Sequence, residues 1–171
     1  MSWTARQCSN EKMSPLKKTA TKMTKLQTKT WICDSSHEAI TRVEDGWVEW
    51  LRGAESGLHL RLAHTRSSAP HGPCHRLASP LAGMSRRDLP LSLFLGPDGL
   101  MLLLEMMDDQ EVPQQELIEM IKRLHIPGYE AARKHFEAAM EEGVPESLRT
   151  PGFHSQWEIR EVLEWREEVE R

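Results

Sequence analysis

The clearest periodicity in the chain lies between Pro113 and Gly143. Leu117, Met120, Ile121 and Leu124 recur at i, i+3, i+4 and i+7, the spacing of one face of an α-helix. Pro113 suits the first helical position, where its missing N–H would have no partner in any case. Pro127 forbids continuation and Gly128 relaxes the backbone, so His125-Ile126-Pro127-Gly128 reads as a tight turn. Beyond it Tyr129, Ala132, Phe136, Ala139 and Met140 share a face of a second helix, expected to stop at Gly143. Helix, short turn, helix is the geometry of a helix-turn-helix.

The flanking patterns are shorter. Leu89, Leu91, Leu93 and Leu95 alternate, which predicts a short strand or a docked segment, broken by Gly96-Pro97. Asp98 is placed to cap a helix whose Leu100, Leu103, Leu104 and Met107 form an apolar stripe suited to a core. After Gly143 two readings stand. In one, Ser147–Thr150 and Gln156–Arg160 pair as a hairpin across Pro151-Gly152. In the other, Ser155 and Glu158 form a capping box that starts a single helix carrying Ile159, Val162, Leu163 and Val169. A helix from about Glu161 onward belongs to both.

The first 83 residues lack this agreement between pattern, turns and propensity. Lys12, Lys17, Lys18, Lys22, Lys25 and Lys29 stand among Ser and Thr with few apolar residues, the composition of a disordered basic arm. Residues 31–62 include Trp31, Trp47 and Trp50, with a short helical candidate, AITRVEDGWVEWL, interrupted by Gly46, and TRSSAPHGPCHRLASPLAG reads as linker. Residues 1–83 carry 12 basic and 7 acidic residues, a balance of +5, whereas residues 84–171 carry 10 and 19, a balance of −9. These changes predict a boundary at Gly83-Met84. Residues 1–83 are then a disordered extension or an over-extended reading of the gene, and residues 84–171 one small domain.

Candidate chemistry is sparse. Cys8, Cys33 and Cys74 are an odd set without paired spacing, so no disulfide framework is expected. His71, Cys74 and His75 stand close together with Cys33 and His37 upstream, but not as the regular pairs of a zinc site, so no metal or cofactor is expected. The ordered half has no Cys, no Gly-rich phosphate loop and no Ser-His-Asp constellation, and His125, His135 and His154 are scattered; an enzyme is not expected. There is no early apolar run of the signal-peptide kind, and the longest one, Leu100–Leu104, is too short to span a bilayer. The expectation is a soluble cytoplasmic protein.

The order of elements over residues 97–171 resembles winged helix-turn-helix transcription regulators. Glu116-Leu117 in the first helix, Ile126 before the turn and Glu141-Glu142-Gly143-Val144 at the close fall in the matching places, and QWEIREVLEWREE looks like a second wing strand entering a terminal helix. The resemblance implies a mainly α, winged helix-turn-helix fold with a small β-wing. It implies a DNA-binding regulator with residues 129–142 lying in the major groove of duplex DNA. Arg133 would face a base edge and Lys134 a phosphate, with Tyr129, Arg149 and His154 adding backbone contacts. It further implies a homodimer, for which the terminal helix offers Val162, Trp165 and Val169. The charge pattern argues the other way. Glu130–Lys134 and Arg133–Glu137 are i, i+4 opposite-charge pairs of a solvated face, and a domain at −9 repels a polyanion. The alternative is a non-catalytic winged-helix module that binds protein.

Overall fold

The computed structural model describes residues 29–52, 60–69, 74, 85–110, 112–145 and 150–171. Two small antiparallel sheets come first. Strands β1 (Trp31–Ile32) and β2 (Ala39–Ile40) pair Trp31 with Ile40, and the turn between them is closed by Cys33 N–H to the Glu38 carbonyl and His37 N–H to the Cys33 carbonyl, both 2.9 Å. A single 3₁₀ turn leads into β3 (Gly46–Arg52), the centre of a second sheet between β4 (Arg61–His64) and β5 (Ser85–Pro90). Val48 lies opposite Leu62 on one side and Leu89 on the other.

Five helices are found among the described residues. They are α1 (Gly96–Asp108), α2 (Gln114–His125), α3 (Tyr129–Ala132), α4 (Phe136–Glu141) and α5 (Gln156–Val169). The 3₁₀ turn Leu91–Phe94 joins β5 to α1 and buries Leu91 and Phe94 completely. Gly99 makes that junction possible: a Cβ there would stand 2.1 Å from the carbonyl carbon of Phe94. No helix of the described residues is long and apolar enough to cross a membrane.

Apolar burial forms two clusters. The larger packs Trp31, Ile40, Val48, Trp50 and Leu62 of the strands against Phe94, Leu103, Met106, Leu117, Met120 and Leu124. The smaller packs Tyr129, Ala132, Phe136 and Ala139 against Ile159 and Val162 of α5. Helix α2 has the extent and buried face that its periodicity predicts, with Leu117, Met120 and Leu124 buried. Gly128 takes φ +78° in the turn. At the far end Gly143 takes φ +81° and Val144 N–H reaches back to the Ala139 carbonyl at 2.8 Å, the left-handed helix stop expected there.

Three expectations are corrected. The boundary at Gly83-Met84 does not divide the fold: Trp31, Ile40, Val48 and Leu62 share one core with Leu103, Leu117 and Leu124, because short strands bury their apolar side chains only against the helices. The arm at residues 1–28 and Met84 itself lie outside the described residues. AITRVEDGWVEWL is not helical but spans β2, the 3₁₀ turn and most of β3. The second wing strand expected at Gln156–Arg160 is the first turn of α5, where the Ser155 side chain accepts from Glu158 N–H and the Glu158 carboxylate accepts from Ser155 N–H. That reciprocal cap satisfies two otherwise unpaired donors and selects the helix over the hairpin. The other proposed strand, 147–150, lies outside the described residues except for Thr150.

Candidate functional site

The expected recognition helix is two short helices, α3 and α4, separated by a turn at Arg133-Lys134-His135. The part of its polar face that carries Glu130 and Arg133 is engaged by the fold. Glu130 is 7 % exposed; its carboxylate accepts from Ile32 N–H at 2.8 Å and from Arg123 Nε at 2.8 Å. Arg123, 4 % exposed, also donates to Asp34 at 2.7 Å and to the Ile32 carbonyl at 2.8 Å. Burial by itself would lower the Arg123 pKa, but Glu130 and Asp34 hold it above its ordinary value. Arg133 completes a quartet of two cations and two anions, with Glu130 at 2.9 Å and Asp34 at 3.4 Å. This quartet fastens the β1 segment to α2 and α3.

The remaining residues expected on DNA are placed as follows. Tyr129 is buried and donates its hydroxyl to Glu119 at 2.9 Å. His154 stacks on Phe136 with ring centroids 3.7 Å apart, and its pKa is lowered, chiefly by burial. Lys134 is exposed. Arg149 lies outside the described residues. The i, i+4 pairing expected for Arg133 with Glu137 is replaced by the i, i+3 pair with Glu130, since the turn rotates α4 away from α3.

Beside this face lies an open groove of roughly 570 Å³, floored by Phe136 and Met140, walled by Pro151 and His154, and edged by Glu137 and Glu141. Met140, expected in the core, is 48 % exposed here, and Phe153 at the groove's turn is 47 % exposed. Lys122 steadies the turn: it donates to the Gly152 carbonyl at 3.0 Å, pairs with Glu119 at 2.6 Å and lies 5.5 Å from the Phe153 ring centre. Trp165 of α5, singled out for a dimer, donates to Glu142 at 3.0 Å, while Val169 is 63 % exposed.

A second constellation was not legible in the sequence. Cys33, His64 and Cys74 come from the β1–β2 turn, the end of β4 and the segment beyond it, and their ligand atoms lie within 4.8 Å of one another. All three are buried and both cysteines are free. Ser35 Oγ donates to the Cys74 carbonyl at 2.9 Å, and Ser36 N–H points at Cys33 Sγ at 3.4 Å. His64 Nε2 faces the Ala39 carbonyl at 3.3 Å, which can only accept, so Nε2 carries the proton and Nδ1 presents its lone pair toward Ser36 Oγ. Burial would raise the Cys33 thiol, but donors from Ser36, His64 and Ser35 bring it down to about 7. Cys74 is pushed up, first by burial. Cys33 and Cys74 stood out in the sequence, but among incidental side chains; His64 did not stand out, because only the packing of β4 against the β1–β2 turn carries it to them. Of the other candidates His37 is exposed, and His71 and His75 lie outside the described residues. No known protein family, curated protein or solved structure matches the chain.

Proposed function

We propose that the chain is a non-catalytic protein-interaction module, with the α4 groove as its docking surface and an amphipathic segment flanked by Lys or Arg as its partner. One observation carries the reading: Met140, 48 % exposed, lines an open groove together with the buried Phe136 and two exposed carboxylates, Glu137 and Glu141. An apolar partner face would be buried there while basic flanks met the carboxylates. The −9 balance of residues 84–171 extends the same preference. The DNA-binding reading is supported by the helix, turn, helix order but is weakened by Arg133 and Tyr129, whose polar atoms are already used inside the fold.

The test replaces Met140 with a photo-crosslinking phenylalanine analogue in the full chain and maps the crosslinked segment in the cell of origin by mass spectrometry. The expected product is a segment of another protein with an apolar face and flanking Lys or Arg, lost when Glu137 and Glu141 are both changed to Lys. Crosslinking only to a second copy, to an acidic segment or to nothing would overturn the reading. So would tight binding of generic duplex DNA that falls on Lys134→Ala with a shallower salt dependence.

A further inference from the structure

We propose that Cys33, His64 and Cys74 form a zinc-binding centre of two thiolates and one imidazole. The argument begins with chemistry. Two sulfurs and an imidazole nitrogen are the donor set that selects a borderline-soft ion in tetrahedral geometry. Zn–S bonds of about 2.3 Å place tetrahedral sulfurs roughly 3.8 Å apart. The present separations, all within 4.8 Å, exceed that value by about 1 Å at most.

The surroundings are those of a ligand set. A zinc-bound imidazole generally gives its other N–H to a carbonyl or carboxylate, which fixes the ring and its tautomer. His64 does this with the Ala39 carbonyl, which leaves Nδ1, 3.4 Å from Ser36 Oγ, as the nitrogen able to bind an ion. The Ser36 amide donates to Cys33 Sγ, and the same turn holds the Cys74 backbone through Ser35. Two thiolates also neutralise a divalent cation, so the loaded centre adds no net charge to a buried site. On binding, each cysteine releases a proton to solvent and the sulfur lone pair forms the bond to the ion; nothing is oxidised.

Consequences for the fold are direct. Three segments, the β1–β2 turn, the end of β4 and the chain at Cys74, would be tied at one point in the larger core. The centre is independent of the α4 groove, so either reading can fail without the other.

The test is metal content and cobalt substitution on the full chain, purified reduced without added chelator. One zinc per chain is expected. Replacement by Co2+ should give the strong visible bands of a tetrahedral ion and a thiolate-to-cobalt charge-transfer band, both abolished by added zinc. Cys74→Ser should lower that band by about half, as one of two thiolates is lost. His64→Cys should retain cobalt and raise the band, a gain that misfolding cannot produce. His37→Ala, at an exposed histidine of the same turn, should leave zinc binding unchanged. A chain without zinc, a weak octahedral cobalt spectrum, a Cys33–Cys74 disulfide in place of metal, or a spectrum indifferent to both cysteines would overturn the proposal.

Discussion

Replacing Arg123 by Met tests whether the ion quartet holds the strands to the helices. Arg123 is 4 % exposed and its guanidinium donates to Asp34, to both oxygens of Glu130 and to the Ile32 carbonyl. Met fills much of the same volume, so the loss is electrostatic rather than a cavity. Removing one partner of a buried pair costs about 3–5 kcal/mol, because the other charge is left unpaired in a poor solvent. Here Arg133 remains beside both Glu130 and Asp34, at 22 % exposure, and keeps part of the compensation. The expected loss is therefore about 3 kcal/mol, at the lower end of that range. Arg133→Met, which removes the more solvated cation, should cost about 1 kcal/mol. Urea unfolding followed by tryptophan fluorescence measures both, since Trp31 and Trp50 lie in the core that would come apart. A cycle of Arg123→Met with Asp34→Asn should show coupling of about 0.5–3 kcal/mol. A loss below about 1 kcal/mol for Arg123→Met, or a larger loss for Arg133→Met, would refute the reasoning.

The other expectations concern packing and titration. Gly99→Ala places a methyl group 2.1 Å from the Phe94 backbone, so the 3₁₀ turn and α1 must separate; thermal unfolding should show a loss of about 3 kcal/mol or more. Phe136→Ala removes a buried ring that stacks on His154 and lies 5.8 Å from the Tyr129 ring, and calorimetry should register about 3–5 kcal/mol. His154 and His125 both have pKa values lowered mainly by burial, so the folded chain favours the neutral rings. Their contribution is present above the unfolded histidine pKa of about 6.5 and is lost as pH falls below it. Urea midpoints measured from pH 8 to pH 5 should therefore decline, and His154→Phe should flatten the decline while keeping the stack.

The helical half was legible because its signals are local. The α2 stripe, Pro127-Gly128 and the Ser155–Glu158 box each act within a few residues, and each is found where the sequence places it. The strands were not. In β3, Val48, Glu49, Trp50 and Leu51 are all buried, so the alternation that marks a one-sided strand is missing. Glu130 was read as surface because its partners, Arg123 and the Ile32 amide, come from elements no helical spacing connects. The Cys33–His64–Cys74 cluster escaped for the same reason, as it is brought together by tertiary packing rather than by a sequence motif.

The bonds that fasten β1 to the helices have a kinetic consequence. Ile32 N–H meets Glu130 across 98 residues of chain, and Arg133 meets Asp34 across 99. Closing a loop of that length costs about 2 kcal/mol more entropy than closing one of ten residues. The contacts within α2 and within α5 need no such closure, so the helices can assemble while the strand segment is still searching. Docking of residues 31–34 is then a late event, and it completes three things at once: the quartet, the larger core and the approach of Cys33 to His64. A refolding experiment that reports Trp31 burial separately from helix formation should find the tryptophan signal arriving second.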